Sequence, residues 1–222
     1  LRRIVAARPK EPHPPERLIV TDWVKQQLEK GLGKERADAS LRLDEKAPPL
    51  SLRVPLTGDV DALLSAVREK HPDAQVLRGK LAPRALSLRG VGDPRKLPGY
   101  ADGAFTVQDE GAQLIGLLTD AQKGERVLDA CAGHGGKTLQ ILEAVGSEGH
   151  VTAVDIHQAK LDQLAREMRR MGFGARLDAG QASLETIDLS VGDGGLERFD
   201  RVLVDAPCTG LGTIRRRPEL LL

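Results

Sequence analysis

The sequence predicts an α/β protein: a doubly wound parallel sheet, preceded by a small α/β unit and a helical segment. Three observations predict it. From about residue 109 onward, short apolar strands alternate with helix-length amphipathic runs. A glycine-rich turn, Gly133-His134-Gly135-Gly136, follows the strand at Arg126–Asp129 and opens a helix. Upstream, between the breaks Ala47-Pro48-Pro49 and Leu97-Pro98-Gly99, a shorter stretch mixes strand and helix patterns. The division expected is a helical linker over 1–46, a small unit over 47–97 and the main domain over 98–222.

Each element has its own signal. The proline-rich run over 9–15 favours extended backbone and bars a helix. Thr21 or Asp22 then caps a helix carrying Trp23, Val24, Gln27 and Leu28, which ends at Gly31 and Gly33. On that helix Trp23 reads as a core anchor in preference to an RNA-stacking residue. Leu50-Ser51-Leu52-Arg53-Val54 alternates and reads as a half-buried strand. Thr57 to Asp59 starts a helix through Val60, Leu63, Leu64 and Val67, which fails at His71-Pro72. Short strands follow near 75–77 and 85–88. A helix over about 109–118 precedes the strand at 126–129, and another runs over 138–145. Then come a strand at 150–154, a helix over 158–171, a weaker strand near 175–178 and a last strand at 201–205. That last strand is apolar on both faces, as a central parallel strand would be.

Composition excludes several classes. The 222 residues carry 33 Lys+Arg against 32 Asp+Glu, a net charge of +1, so the chain is not a strongly basic nucleic-acid clamp. Aromatics make up 2%, too few for a stacking platform. No apolar run approaches the length of a membrane span, and no secretory pattern opens the chain. The two cysteines, Cys131 and Cys208, form neither a zinc knuckle nor a disulfide framework. A reduced, cytoplasmic location without metal is therefore expected. The chain opens at Leu1 rather than Met and stops at Leu222 where a new element would begin, so a fragment of a longer protein is one expectation.

The turn Asp129-Ala130-Cys131-Ala132-Gly133-His134-Gly135-Gly136-Lys137-Thr138 is the key stretch. It is not a P-loop, because the first glycine of that motif would fall on Cys131. It is not a clean dinucleotide fingerprint either. The next strand ends in Asp155, and an acid there can accept both hydroxyls of a ribose or cap the following helix. A nucleoside-containing ligand at the carboxyl edge of the sheet follows. The last strand ends in Asp205-Ala206-Pro207-Cys208. Asp205 can bond a base edge, and Cys208 reads equally as a thiolate nucleophile or as a small buried residue.

Three blocks in order carry a resemblance to a family. Leu97–Gly103 with Thr106-Val107-Gln108-Asp109 is the first, Cys131–Thr138 the second, and Asp205–Gly212 with Ile214-Arg215-Arg216 and Pro218 the third. Together they resemble the Sun/Fmu family of S-adenosylmethionine-dependent RNA cytosine-C5 methyltransferases. The resemblance spans roughly residues 16–222. It implies a Rossmann-like methyltransferase sheet without its C-terminal strands and a small RNA-binding subdomain over 47–97. It makes S-adenosyl-L-methionine the cofactor and RNA, ribosomal RNA first, the partner.

Residue by residue, the resemblance assigns Cys131, Ala132, Gly133, His134, Gly135, Gly136 and Lys137 to the methionine and ribose end of the cofactor. Asp155 takes the ribose hydroxyls. The family's next acid falls on Gln181, which can still accept from an adenine amine. Asp205 sits beside the methyl donor and the target cytosine. In the family a thiolate adds to cytosine C6 and makes C5 nucleophilic; its cysteine lies in a Thr-Cys motif that this sequence lacks. Cys208 is then the assisting cysteine that helps release product, not the attacking one. His134 replaces a proline and Gly133 an alanine; His134 either bonds the cofactor carboxylate or faces solvent.

Arg215, Arg216 and Arg217 adjoin this block and read as RNA contacts. Arg166, Arg169 and Arg170 share one helix and read as a solvated face. The last strand would form a sheet edge here, and an apolar edge makes the chain alone prone to aggregate unless something covers it. The alternatives are a tRNA methyltransferase, a cofactor-binding pseudoenzyme and a nucleotide-dependent dehydrogenase.

Overall fold

The computed structural model describes residues 21–41, 48–173, 176–186, 198–210 and 213. Two compact units share them. One holds two helices, α1 (Asp22–Leu32) and α2 (Lys34–Leu41), with the described residues from Cys208 on; the other is Pro49–Pro207. Thr21 caps α1 by accepting from the Val24 N–H, and Gly33, at φ 78°, closes it. Val24 and Leu28 are the buried residues of α1, one turn apart on one face. Trp23 is 55% exposed, so it is not the expected core anchor. It lies about 100° around the helix from Val24, on the neighbouring row, which faces out. The second helix, α2, forms where the sequence predicts none.

The larger unit begins with a small antiparallel sheet. Its strands are β1 (Leu50–Arg53), β2 (Gln75–Arg78), β3 (Ala85–Arg89) and β4 (Thr106–Val107), in the order β2-β3-β1-β4. Between β1 and β2 runs α3 (Val60–Lys70), capped by Asp59, whose carboxylate accepts from the Asp61 and Ala62 N–H groups. The four apolar residues anticipated on it, Val60, Leu63, Leu64 and Val67, are its buried residues. They pack with Leu52, Val76, Leu86, Leu88 and Phe105 into one core.

Two expectations need correction here. Leu97, Phe105 and β4 belong to this layer, so a division at 97/98 falls inside a packed core. The strand β1 is not half-buried. Ser51, Leu52, Arg53 and Val54 are all buried, because α4 (Glu110–Leu118) packs on the face that alternation assigned to solvent.

The second sheet is wholly parallel, in the order β7-β6-β5-β8 among the described residues. Its strands are β5 (Arg126–Asp129), β6 (His150–Asp155), β7 (Leu177–Gln181) and β8 (Arg201–Leu203). The crossovers are α5 (Gly136–Val145) and α6 (Gln158–Arg170). Val127, Val151 and Ala153 share one core with Leu139, Ile141 and Leu142 of α5 and Leu164 and Met168 of α6, so both helices cover one face. From β5 the chain winds outward to β6 and β7, then returns to place β8 on the other side of β5. That reversal opens a crevice at the carboxyl ends of β5 and β8.

The last strand is shorter than expected, ending at Leu203. Val202 and Val204 are more than half exposed, and β8 stands at the end of the described strand order rather than at its centre. Arg170 also departs from the solvated face expected for it. Its guanidinium sits 4.3 Å from the Tyr100 ring centroid, pairs with Glu167 and donates to the carbonyls of Tyr100 and Phe105. It clamps the loop before β4 to the end of α6. Arg166 and Arg169 are exposed as expected. No helix among the described residues is long and apolar enough to cross a membrane.

Candidate active site

The turn after β5 is built across the crevice. The Ala130 N–H donates to the Leu203 carbonyl of β8, and the Ala132 N–H to the Val154 carbonyl of β6, both at 2.9 Å. Gly133 and Gly135 then take positive φ, 54° and 85°, and Gly135 caps α5. At Gly135 the need for glycine is double. A Cβ would stand 2.7 Å from Cγ of Leu164, which is fully buried in the core under the loop. The first N–H groups of α5 thus open toward the crevice, with the helix dipole behind them.

Three carboxylates stand at the carboxyl edge of the sheet in three different environments, two as the last residues of β5 and β6 and Asp205 two residues beyond β8. Asp129, the last residue of β5, is 1% exposed and accepts from Thr138 Oγ1 at 2.7 Å; burial pushes its pKa up. Asp155, the last of β6, is also buried, which alone would raise its pKa. The N–H groups of His157 and Gly133 at 2.8 and 3.0 Å, together with Lys160 at 3.6 Å, outweigh burial and hold it below the usual value. Asp205 is about half exposed and pairs with Lys137 Nζ at 2.6 Å.

Asp155 is not the cap of the next helix. His157 occupies that position, and Asp155 instead ties the glycine turn to the chain leaving β6. Cys131 is partly buried. Burial, then the charges of Asp155, Asp129 and Asp205, push its thiol pKa up and disfavour the thiolate. Cys208 is an exposed free thiol, which removes its reading as a buried spacer.

Two adjoining cavities meet at Cys131. One, of about 250 Å³, is lined by Gln108, Asp129, Gly133, His134, Lys137 and Asp205 among others. The other, of about 300 Å³, is lined by Asp155, Ile156, Lys160, Ala182, Leu184 and Pro207 among others. Anticipated residues therefore divide between the two. Cys131 borders both; Ala132, Gly133, His134, Gly136, Lys137 and Asp205 border the first, and Asp155 the second. His134 is exposed at the mouth. Gly135 shapes the turn from beneath. Gln181 lies beside Asp155 in the β6–β7 register and donates its Nε2 to the Ile156 carbonyl at 2.9 Å. Arg215, Arg216 and Arg217 lie outside the described residues.

Sequence reasoning missed Gln108, Asp129, Ile156 and Lys160 as parts of the walls. Asp129 carried a usable signal, since it ends the strand that enters the glycine turn. Gln108 carried only its membership of the first block.

Known proteins bear on this geometry. A family model described as 16S rRNA methyltransferase RsmB/F matches residues 116–222. A probable ribosomal RNA small subunit methyltransferase B of Synechocystis is 32% identical over 92% of this chain and 45% of its own. A ribosomal RNA small subunit methyltransferase B of Salmonella paratyphi B is 35% identical over 81% of this chain and 40% of its own. The chain thus spans less than half the length of these relatives. The solved structure of NSun6 from Pyrococcus horikoshii aligns with TM-score 0.70 at 14% identity, over 88% of this chain and 72% of that one. That likeness speaks for the fold alone. Residues 116–222, which the family model matches, hold the glycine turn and the acids Asp129, Asp155 and Asp205, and over that stretch the chain is similar to the RsmB/F family of 16S rRNA methyltransferases.

Proposed function

We propose that this chain forms the cofactor- and RNA-engaging part of an S-adenosylmethionine-dependent methyltransferase acting on C5 of a cytosine in small-subunit ribosomal RNA. The observation that carries this reading is the pair of cavities joined at Cys131 across the β5/β8 switch point. Their chemistry suits the two ends of the cofactor. The Asp155 side offers a carboxylate for ribose hydroxyls and apolar Ile156 and Leu184 for a flat base. The other side offers the N-terminus of α5 and the Lys137 ammonium for a carboxylate. The cofactor supplies an electrophilic methyl group on its sulfonium.

The chain's own residues then have separate tasks. Asp155 keeps its ionised form and can accept from the ribose, each oxygen having a lone pair beyond its N–H partner. With its Nε2 spent on Ile156, Gln181 has its Oε1 to accept from the adenine amine. Lys137 orients Asp205, whose exposed carboxylate can hold the N3/N4 edge of an unstacked cytosine. Cys208 assists release, and the attacking thiolate belongs to a Thr-Cys cysteine absent from these 222 residues. Arg215, Arg216 and Arg217 and the small antiparallel sheet engage the RNA.

The test is labelled methyl transfer from S-adenosylmethionine by the natural full-length protein to small-subunit rRNA and, separately, to tRNA. Transfer to the rRNA at cytosine C5, lost by at least about a hundredfold in Asp205→Ala, is the expected result. Transfer to tRNA alone would replace the substrate. Cofactor binding without transfer to either would leave a binding subunit in place of an enzyme.

A further inference from the structure

We infer that Gln108 is a further cofactor-binding residue, selective for the amino-acid end of the cofactor, and that Arg53 of the small sheet is the positioning residue that sets its amide. The inference rests on the methyltransferase reading above.

Gln108 is buried, 6% exposed, yet it lines the same cavity as Lys137 and Asp205. Its main chain is fixed at both groups. The N–H donates to the Ser51 carbonyl at 3.1 Å, and its carbonyl accepts from Gln113 Nε2 at 3.0 Å. Its side chain lies over the first turn of α5. Cγ, Cδ and Nε2 all stand 3.7 Å from where a Cβ on Gly136 would be, ordinary contact distance.

An amide can turn either end toward a cavity, and here Arg53 decides which. Arg53 Nε donates to Gln108 Oε1 at 2.8 Å, and a guanidinium has no acceptor, so only the oxygen can occupy that position. The amide nitrogen makes a long 3.4 Å contact to Gln140 Oε1, which uses one of its two hydrogens and leaves it the end of this cavity-lining amide with a donor to spare. Arg53 is itself held by Glu143 Oε2 at 2.9 Å, and the same oxygen accepts from the Leu56 N–H at 2.9 Å. Both charged side chains are 3% exposed. A fork with two separated N–H directions is required to hold Gln108 and Glu143 together, which a lysine cannot supply. The Gln108 donor thereby joins the α5 N-terminus and Lys137 as the donors of a cavity whose acceptors are Asp129 and Asp205, a set that suits a carboxylate on the first group and an ammonium on the second. The small sheet in this way tunes the affinity of the parallel sheet's cavity.

The test compares two ligands on the full-length protein by calorimetry: S-adenosylmethionine, and 5′-methylthioadenosine, which lacks the amino-acid end. In Gln108→Met and Gln108→Glu, S-adenosylmethionine is expected to bind about tenfold weaker or more, while methylthioadenosine stays within about twofold. Gln108→Glu keeps a partner for Arg53 and replaces the donor by an acceptor, so it carries the test if Gln108→Met fails to fold. Arg53→Lys is expected to shift the ratio of the two affinities in the same direction by less. Equal weakening of both ligands, or unchanged S-adenosylmethionine binding, overturns the inference. A wild-type protein that binds neither ligand overturns the methyltransferase reading and the inference with it, and that failure shows before any variant is made.

Discussion

The two sheets of the larger unit treat polar residues in opposite ways. The antiparallel sheet buries its polar groups and spends them on structure. Arg53 and Gln108 bond to each other, to Gln113 of α4 and Glu143 of α5 and to the main chain between the layers, and Arg53 Nη2, Gln113 Oε1 and Glu143 Oε1 are left buried without a hydrogen-bond partner. The parallel sheet carries its acids at strand ends, where Asp155 and Asp205 border open cavities. The difference follows from backbone direction. In a parallel sheet every strand delivers its carboxyl end to the same edge, and a change in winding direction keeps neighbouring crossovers from filling it. An antiparallel sheet has no such edge, so its polar residues are useful only where another layer meets them.

The contrast predicts where substitutions cost stability and where they cost binding. The largest stability loss is expected for Glu143→Ala, which leaves Arg53 charged and buried with the Gln108 amide but without its counter-charge. About 3–5 kcal/mol should go in denaturant unfolding, and the double variant R53M/E143L should recover most of it. A double variant no more stable than Glu143→Ala would mean the pair's partners, not its charges, carry the cost.

Next comes Gly135→Ala, where the positive φ and the Leu164 contact act together. We expect a loss of about 1–3 kcal/mol with weakened cofactor binding. Unfolding and cofactor titration on the same preparation separate the two effects.

A smaller effect distinguishes the strand-end acids by pH. Asp155 is held below its unfolded value near 3.8, so its contribution is fully present above about pH 4 and is lost as pH falls through the lower folded value. Asp129 has the opposite sign. Its raised folded pKa makes the native state lose stability as pH rises from the unfolded value to the folded one. Accordingly Asp155→Asn should destabilise at neutral pH and little in strong acid. Asp129→Asn, whose oxygen can still accept from Thr138, should be neutral or stabilising at neutral pH. Denaturant midpoints across the acid range check both signs. The smallest effect is Trp23→Ala, expected within about 0.5 kcal/mol because the indole is exposed.

Much of the fold was legible because local chemistry and tertiary packing agree. Helix α3 has an aspartate cap, four apolar residues on one face and a stop at His71-Pro72, and each signal survives in the structure. The turn after β5 was legible for the same reason: an apolar strand, then small residues, then a helix leave few other conformations. Where the reading failed, a second layer had intervened. Alternation in β1 correctly separates Leu52 from Arg53, but it cannot report that α4 covers the second face. A two-residue strand such as β4 has no periodicity to read. Arg170 looked like a solvated charge until the loop at Tyr100 closed over it.

The sequence by itself determined the strands and helices other than α2 and β4, the glycine turn and the acids that end β5, β6 and the run into Asp205. Short-range sterics, capping and burial period settle those within a few residues. Only the tertiary structure decided that β4 joins β1, that Trp23 faces outward, and that Arg53 bonds Gln108 at the wall of the cavity lined by Lys137 and Asp205. Those are contacts between residues far apart in the chain, and their partners are chosen by how layers pack rather than by any neighbour in sequence.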